Sequence, residues 1–213
     1  MIKAYLDAEL KPYSNVYIKQ TLFNLTKAGK IFDAGRGWYS TIGEPFPLDT
    51  EPLKNIVTEI KAQFPLLQFS CWSTEQIKYY FHHLQAKFVA FIYTEKDFLS
   101  SVFNSLSSRY KTYLNPTYQE SSKIFVLEHK TVVLRPSITQ EPAEENYATI
   151  EKILVDFWIE NRKLLLTSET EYREVFQNIT TQYRINMSKL VRYAGRRKVI
   201  IDIEKIVNIP MSL

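Results

Sequence analysis

One cysteine, Cys71, is all the chain carries, and a single thiol cannot build a disulfide framework. That fits a reducing compartment, so a cytoplasmic location is expected. Histidine is scarce as well: three, with one cysteine, fall short of the Cys/His sets that hold structural zinc. His82 and His83 are neighbours, and on a helix they point about 100° apart, too far to share one ligand shell. No metal and no cofactor are expected. The five glycines make no phosphate-cradling loop. Gly35 and Gly37 are the closest pair, and no Lys-Ser or Lys-Thr follows them. Cys71 lies in Ser70-Cys71-Trp72-Ser73, lacks the glycines of a nucleophile turn, and reads as a buried structural thiol. No stretch approaches the ~20 apolar residues of a membrane span. Met1-Ile2-Lys3-Ala4-Tyr5-Leu6-Asp7 has no apolar run, so no signal peptide is expected. Repeats and low-complexity tracts are absent.

What is present is ample material for a core: 45% apolar and 14% aromatic residues in a chain of 213. That length predicts one or two domains. A net charge of +4 does not by itself announce nucleic acid, but the charge is uneven. Residues 1–44 hold six basic and four acidic side chains, residues 184–205 seven and two, and residues 141–151 are acidic. The strongest positive field therefore belongs to the C-terminal end.

The most legible stretch is residues 14–39. Ile18, Leu22 and Leu25 repeat at helical spacing and predict an apolar back. Tyr17, Gln20, Asn24 and Lys27 fall on the opposite face. Ser14 or Asn15 can cap the start, and Gly29 stands where a helix-ending glycine belongs. Residues 30–33 and 38–40, rich in aromatic and β-branched side chains, flank the turn Ala34-Gly35-Arg36-Gly37 and predict a hairpin with an arginine at its tip. A helix with an amide-rich front joined to such a hairpin is what a winged helix needs to read DNA. The plainer alternative is a small structural helix-plus-hairpin unit.

In order, residues 2–10 predict a short helix. Gly43-Glu44-Pro45-Phe46-Pro47 holds three breakers and marks a linker, placing a domain boundary between residues 44 and 45. Helices are predicted over 50–64, 74–84 and 97–110, and strands over 67–72 and 87–93. The second strand is an unbroken apolar run, as in a strand buried on both faces. Runs 124–127 and 131–134 read as two strands separated by Glu128-His129-Lys130. A helix over 147–165 follows. Ser168 to Glu171 has capping-box spacing before the next helix, and 186–194 predicts a shorter one stopped by Gly195. Residues 199–209 suit strand and helix equally. Strand–helix alternation points to a mixed α/β (α+β) class.

One constellation has the residue types of a metal site. Glu128-x-Lys130 would project to one side of a continuing strand. Metal-dependent nucleases of restriction-endonuclease type pair such residues with an upstream acid, for which Asp97, Glu95 or Glu120 would have to serve. The plain alternative is a polar turn. The basic run containing Arg192, Arg196, Arg197 and Lys198 could face phosphate, an acidic partner or solvent.

The run Leu22-Phe23-Asn24-Leu25-Thr26-Lys27-Ala28-Gly29-Lys30-Ile31-Phe32-Asp33-Ala34-Gly35-Arg36-Gly37-Trp38-Tyr39 resembles the N-terminal winged helix-turn-helix of AbiEi-type antitoxins. Arg192-Tyr193-Ala194-Gly195-Arg196-Arg197 loosely resembles their C-terminal Tyr-Ala-basic stretch. The resemblance implies an N-terminal winged helix over 1–44 and an α/β antitoxin-like domain with a helical C-terminus over 45–213. It implies a non-enzymatic autorepressor of an operon that also encodes a nucleotidyltransferase-like toxin. Two departures stand out: one short helix precedes the reading helix where the family usually has two, and Asp33 places an acid in the wing.

On this reading Tyr17, Gln20 and Asn24 are candidates for base edges, since amides pair with adenine in the major groove. Ser14, Lys19, Lys27, Lys30 and Arg36 are candidates for phosphate. Arg192, Arg196, Arg197 and Lys198 are candidates for phosphate or the toxin. The expected partners are double-stranded DNA and a cognate toxin, with no membrane. The rival functions are a docking module whose winged helix no longer binds DNA, and the metal-dependent nuclease.

Overall fold

The computed structural model describes residues 14–207, so the helix predicted over residues 2–10 lies outside it. The described residues form a mixed α+β protein. They divide into two compact units, residues 14–47 with residues 176–207, and Leu48–Val175. The first break falls at Leu48, close to the boundary that the linker predicts after residue 44. A second break, at Phe176, has no counterpart in the sequence pattern: it groups the C-terminal helices with the N-terminal segment and takes them out of the expected 45–213 domain.

In the first unit, helix α1 spans Asn15–Lys27. Ser14 starts it by accepting the Tyr17 N–H on Oγ at 3.2 Å. Gly29, at φ +65°, ends it. The Lys30 N–H reaches the Leu25 carbonyl and the Gly29 N–H the Thr26 carbonyl, the paired bonds of a glycine-closed C-terminus. Strands β1 (Phe32–Asp33) and β2 (Tyr39–Ser40) follow as an antiparallel hairpin. Ile31, Ala34 and Trp38 are buried beneath it.

The hairpin is not freestanding. Its Ala34 carbonyl accepts the Met187 N–H at 2.8 Å, at the start of helix α7 (Met187–Arg196). The preceding segment adds a second tie, since the Arg184 N–H donates to the Glu44 carbonyl at 2.7 Å. Helix α7 buries Met187, Leu190, Val191, Tyr193 and Ala194. The ambiguous C-terminal run forms helix α8 over Ile200–Val207. Helix α6 (Glu169–Gln182) begins in the second unit and ends in the first.

The second unit is built on a six-stranded sheet in the order β5-β6-β4-β3-β8-β7. Its strands are β3 (Phe69–Ser73), β4 (Val89–Thr94), β5 (Lys111–Leu114), β6 (Thr131–Pro136), β7 (Ala143–Glu144) and β8 (Tyr147–Ala148). β3 runs antiparallel to β4, whereas β4 and β5 both run parallel to β6, which lies between them. Alternation sorts their side chains to two faces. Phe69, Cys71, Ala90, Ile92, Val132 and Leu134 join one apolar cluster with helices α2 (Lys54–Gln63) and α3 (Leu99–Leu106). Trp72, Phe91, Tyr93 and Arg135 take the other face, toward helix α5 (Ile150–Leu164). Burial on both faces explains the unbroken apolar run of β4.

Several boundaries differ from the prediction. The helix predicted to reach residue 110 ends at Leu106, and Lys111–Leu114 is a strand no pattern announced. Residues 124–127 are no strand: Ile124 ends helix α4 (Tyr118–Ile124), and residues 125–127 have no regular structure. Thr117 and Glu120 nucleate it by reciprocal capping: the Thr117 N–H donates to Glu120 Oε2 at 2.8 Å and the Glu120 N–H to Thr117 Oγ1 at 3.3 Å. Residues 74–80 form a tight 3-10 helix, and Tyr147–Ala148 is a strand ahead of α5.

Candidate nucleic-acid interface

Helix α1 turns one arc to solvent. Tyr17, Gln20, Phe23, Asn24 and Lys27 are exposed, while Ile18, Thr21 and Leu22 are half-buried. Leu25, predicted for the apolar back, is 37% exposed. Along the exposed arc the Gln20 amide donates from Nε2 to Asn24 Oδ1 at 3.1 Å, pairing the two amides one turn apart. No acidic residue lies between Asn15 and Lys27. Ser14, expected to meet phosphate, spends its hydroxyl on capping. Lys19 and Lys30 are exposed.

Arg36 is exposed at the hairpin tip, between Gly35 at φ +99° and Gly37 at φ +77°. Asp33, the acid in the wing, turns inward on its own turn: Oδ1 accepts the Gly35 N–H at 3.1 Å. Its carboxylate therefore organises the tip that carries Arg36. The close approach of the turn to α7 depends on Gly35, where a Cβ would stand 2.3 Å from Asn186 Oδ1 and 2.6 Å from the Ser188 Cβ. Asn186 in turn caps α7, its Oδ1 accepting the Lys189 N–H at 3.0 Å.

The two sets of basic candidates, far apart in sequence, thus share one unit. Arg192 is exposed and donates from Nε to the Ser188 carbonyl at 3.1 Å. Arg196 and Arg197 are half-buried, each with its guanidinium 5.9 Å from the Tyr193 ring centre. Lys198 is exposed and closes α7 at φ +59°, a conformation usually left to glycine. Among the described residues the first unit holds eleven basic and four acidic side chains, net +7. Leu48–Val175 holds fourteen and seventeen, net −3.

Glu128 and Lys130 precede β6 in a turn, Lys130 at φ +61°. Glu128 pairs with Lys111 at 3.7 Å. Lys130 lines an open groove of about 670 Å³ with Glu59, Arg109 and Tyr110. Among the described residues no three His, Cys, Asp or Glu side chains are grouped to hold a metal ion.

Sequence reasoning missed a second polar cluster, between the sheet and α5. Arg135 donates from Nε to Glu160 Oε2 at 2.9 Å and from Nη1 to the Pro116 carbonyl at 2.6 Å. Lys152 bonds Asp156 at 2.5 Å and Glu141 at 3.2 Å, and its ammonium sits 3.5 Å from the centre of the Tyr93 ring. All five ionic side chains are nearly or wholly buried. The available signal was the i, i+4, i+8 row of Lys152, Asp156 and Glu160 along a helix otherwise rich in apolar residues. Cys71 lies in β3, and burial pushes its thiol up to about 12 against the opposing pull of Lys152 and Lys61. A thiol so held is protonated and inert as a nucleophile.

The fold and this distribution of charge define an α+β protein with one strongly basic unit. The chain belongs to a family of unknown function (DUF6577), whose profile matches residues 17–212. No curated protein and no solved structure matches the chain. Among the described residues no helix is long and apolar enough to cross a membrane.

Proposed function

We propose that this protein is a DNA-binding transcriptional regulator that reads the major groove with helix α1 and contacts the backbone through the hairpin tip. The observation that carries it is the exposed, acid-free arc of Tyr17, Gln20 and Asn24, set in a unit of net charge +7. Amides at one-turn spacing suit adenine edges, and Lys19, Lys27, Lys30 and Arg36 suit phosphates. The resemblance to AbiEi-type antitoxins extends this to an autorepressor of an operon encoding a nucleotidyltransferase-like toxin, with Arg192, Arg196, Arg197 and Lys198 turned to phosphate or toxin.

A gel-shift titration with DNA from the protein's own promoter region, at low and moderate salt, tests the reading. Binding should saturate, survive competitor DNA, weaken with salt as counterions are released, and fall in Gln20→Ala/Asn24→Ala. Absence of binding, or binding that competitor removes and the double change leaves intact, would overturn it. A second reading, a protein-docking module, is favoured by Val16 and Phe23, which stand 78% and 61% exposed on the same helix. Co-purification of a partner that is lost in Phe23→Ala would support that reading.

A further inference from the structure

The exposed arc of α1 is not purely polar. At 100° per residue, Val16 and Phe23 lie on one flank of Gln20, and Asn24 and Tyr17 on the other. Phe23 is 61% exposed and Val16 78%, on a helix whose half-buried side is Ile18, Thr21 and Leu22. Val16 and Phe23, two turns apart on this arc, offer apolar contact to whatever the arc meets. The charge around them restricts what that is. No acid lies on α1, and the unit has net charge +7, so the complementary surface is a polyanion with apolar spots. Duplex DNA offers such spots in its major groove only at the C5-methyl groups of thymine.

We infer that Phe23, seconded by Val16, reads thymine methyl groups beside adenines held by Gln20 and Asn24, so that the helix selects A·T pairs in the major groove. The inference rests on the proposed DNA reading and names its base preference. The Gln20–Asn24 hydrogen bond supports it, because it pairs the two amides one turn apart on the exposed arc that also carries Phe23. Paired amides and a ring on the same arc together recognise both members of an A·T step, the amide by hydrogen bonding and the ring by packing on the methyl group.

The test uses one sequence in two chemical forms. The promoter-region fragment is amplified once with thymidine triphosphate and once with deoxyuridine triphosphate, which removes the methyl groups and leaves base pairing intact. Full-length protein is titrated against both. Wild type should bind the uracil form about fourfold more weakly for each methyl group taken out of the interface, the worth of one methylene-sized group returned to water. Phe23→Ala should bind the thymine form more weakly and show little discrimination, whereas Phe23→Leu should keep part of it. Lys27→Ala should weaken both forms alike. Equal wild-type affinity for the two forms, with binding still lost in Gln20→Ala/Asn24→Ala, would overturn methyl reading and leave DNA reading standing. Failure to bind either form would overturn both, and the exposed Phe23 would then belong to a protein interface. Circular dichroism of each variant guards against a trivial loss of fold.

Discussion

Glu171 Oε1 accepts the backbone N–H of His82 at 2.7 Å and of His83 at 3.3 Å, joining the first turn of α6 to a loop almost ninety residues earlier. The Ser168-to-Glu171 spacing predicts a capping box, and half of it forms: the Glu171 N–H donates to Ser168 Oγ at 3.1 Å. The carboxylate, which would complete the box, is spent on the loop. Glu171→Ala should therefore loosen His82 and His83, with amide exchange faster by roughly 10-fold or more, the worth of a charged hydrogen bond. Glu171→Gln keeps an acceptor and should lose less. Equal exchange in wild type and Glu171→Ala would refute the tie.

Gly35 and Gly37 both have positive φ but differ in their surroundings. A Cβ at Gly37 meets nothing within 4 Å, whereas one at Gly35 meets the Asn186 side chain that caps α7. Gly37→Ala should cost about 1 kcal/mol, backbone strain alone. Gly35→Ala should cost more, because it adds a clash and disturbs a cap worth about 1 kcal/mol. Thermal melts of the two variants decide the order.

Lys198 adopts the left-handed conformation at the end of α7, where its N–H reaches the Gly195 carbonyl at 3.1 Å. Lys198→Gly should stabilise the protein by about 0.5–1 kcal/mol. Its effect on DNA affinity is a separate quantity, so melting and titration of one variant tell structural from electrostatic roles.

The Arg135–Glu160 pair is enclosed, with the two side chains 4% and 0% exposed. Removing one partner strands the other, so Arg135→Met should cost roughly 3–5 kcal/mol. Arg135→Met with Glu160→Leu should recover much of that. A double change as harmful as the sum of the single ones would show that the two charges do not act as a pair.

Cys71 gives stability a pH dependence. Its thiol is pushed from 9.0 to about 12 in the fold, so the folded state holds the proton that the unfolded state releases. This contribution is complete below pH 9 and is lost as pH rises toward 12, by about 1.4 kcal/mol per unit. Tyr172, buried and also raised, acts in the same direction above pH 10. Urea unfolding at about pH 8 and about pH 10, on either side of the 9.0 at which the unfolded thiol ionises, should show wild type losing more than Cys71→Ala. Parallel losses would show that the thiol does not titrate this way.

The residues that could be read from sequence are those whose signal is local. Gly29 ends α1 because only its backbone favours φ +65°, and the two glycines of the hairpin mark its turn. The unbroken apolar run of β4 announced its own burial. By contrast, β5 is four residues long and only Tyr113 in it is buried, so no alternation stood out. The β-branched and aromatic residues after Lys123 suggested a strand, whereas the Thr117–Glu120 cap starts helix α4, which ends at Ile124. No local pattern pairs Arg135 with Glu160 or Lys152 with Glu141, because tertiary structure brings these partners together. The grouping of Arg36 with Arg192 likewise required the fold, since the hairpin meets α7 through the Ala34 carbonyl and the Met187 N–H, far apart in the chain.

That long return has a consequence for biosynthesis. The Ala34 carbonyl waits for the Met187 N–H, and Gly35 for Asn186, so the hairpin lacks these partners until residues 186 and 187 have left the ribosome. A product released early would hold Leu48–Val175 complete and the N-terminal helix and hairpin without their support. If α1 reads an operator as proposed, such shorter chains would compete poorly for it, and the order of synthesis would itself reserve the DNA for chains that extend past Met187.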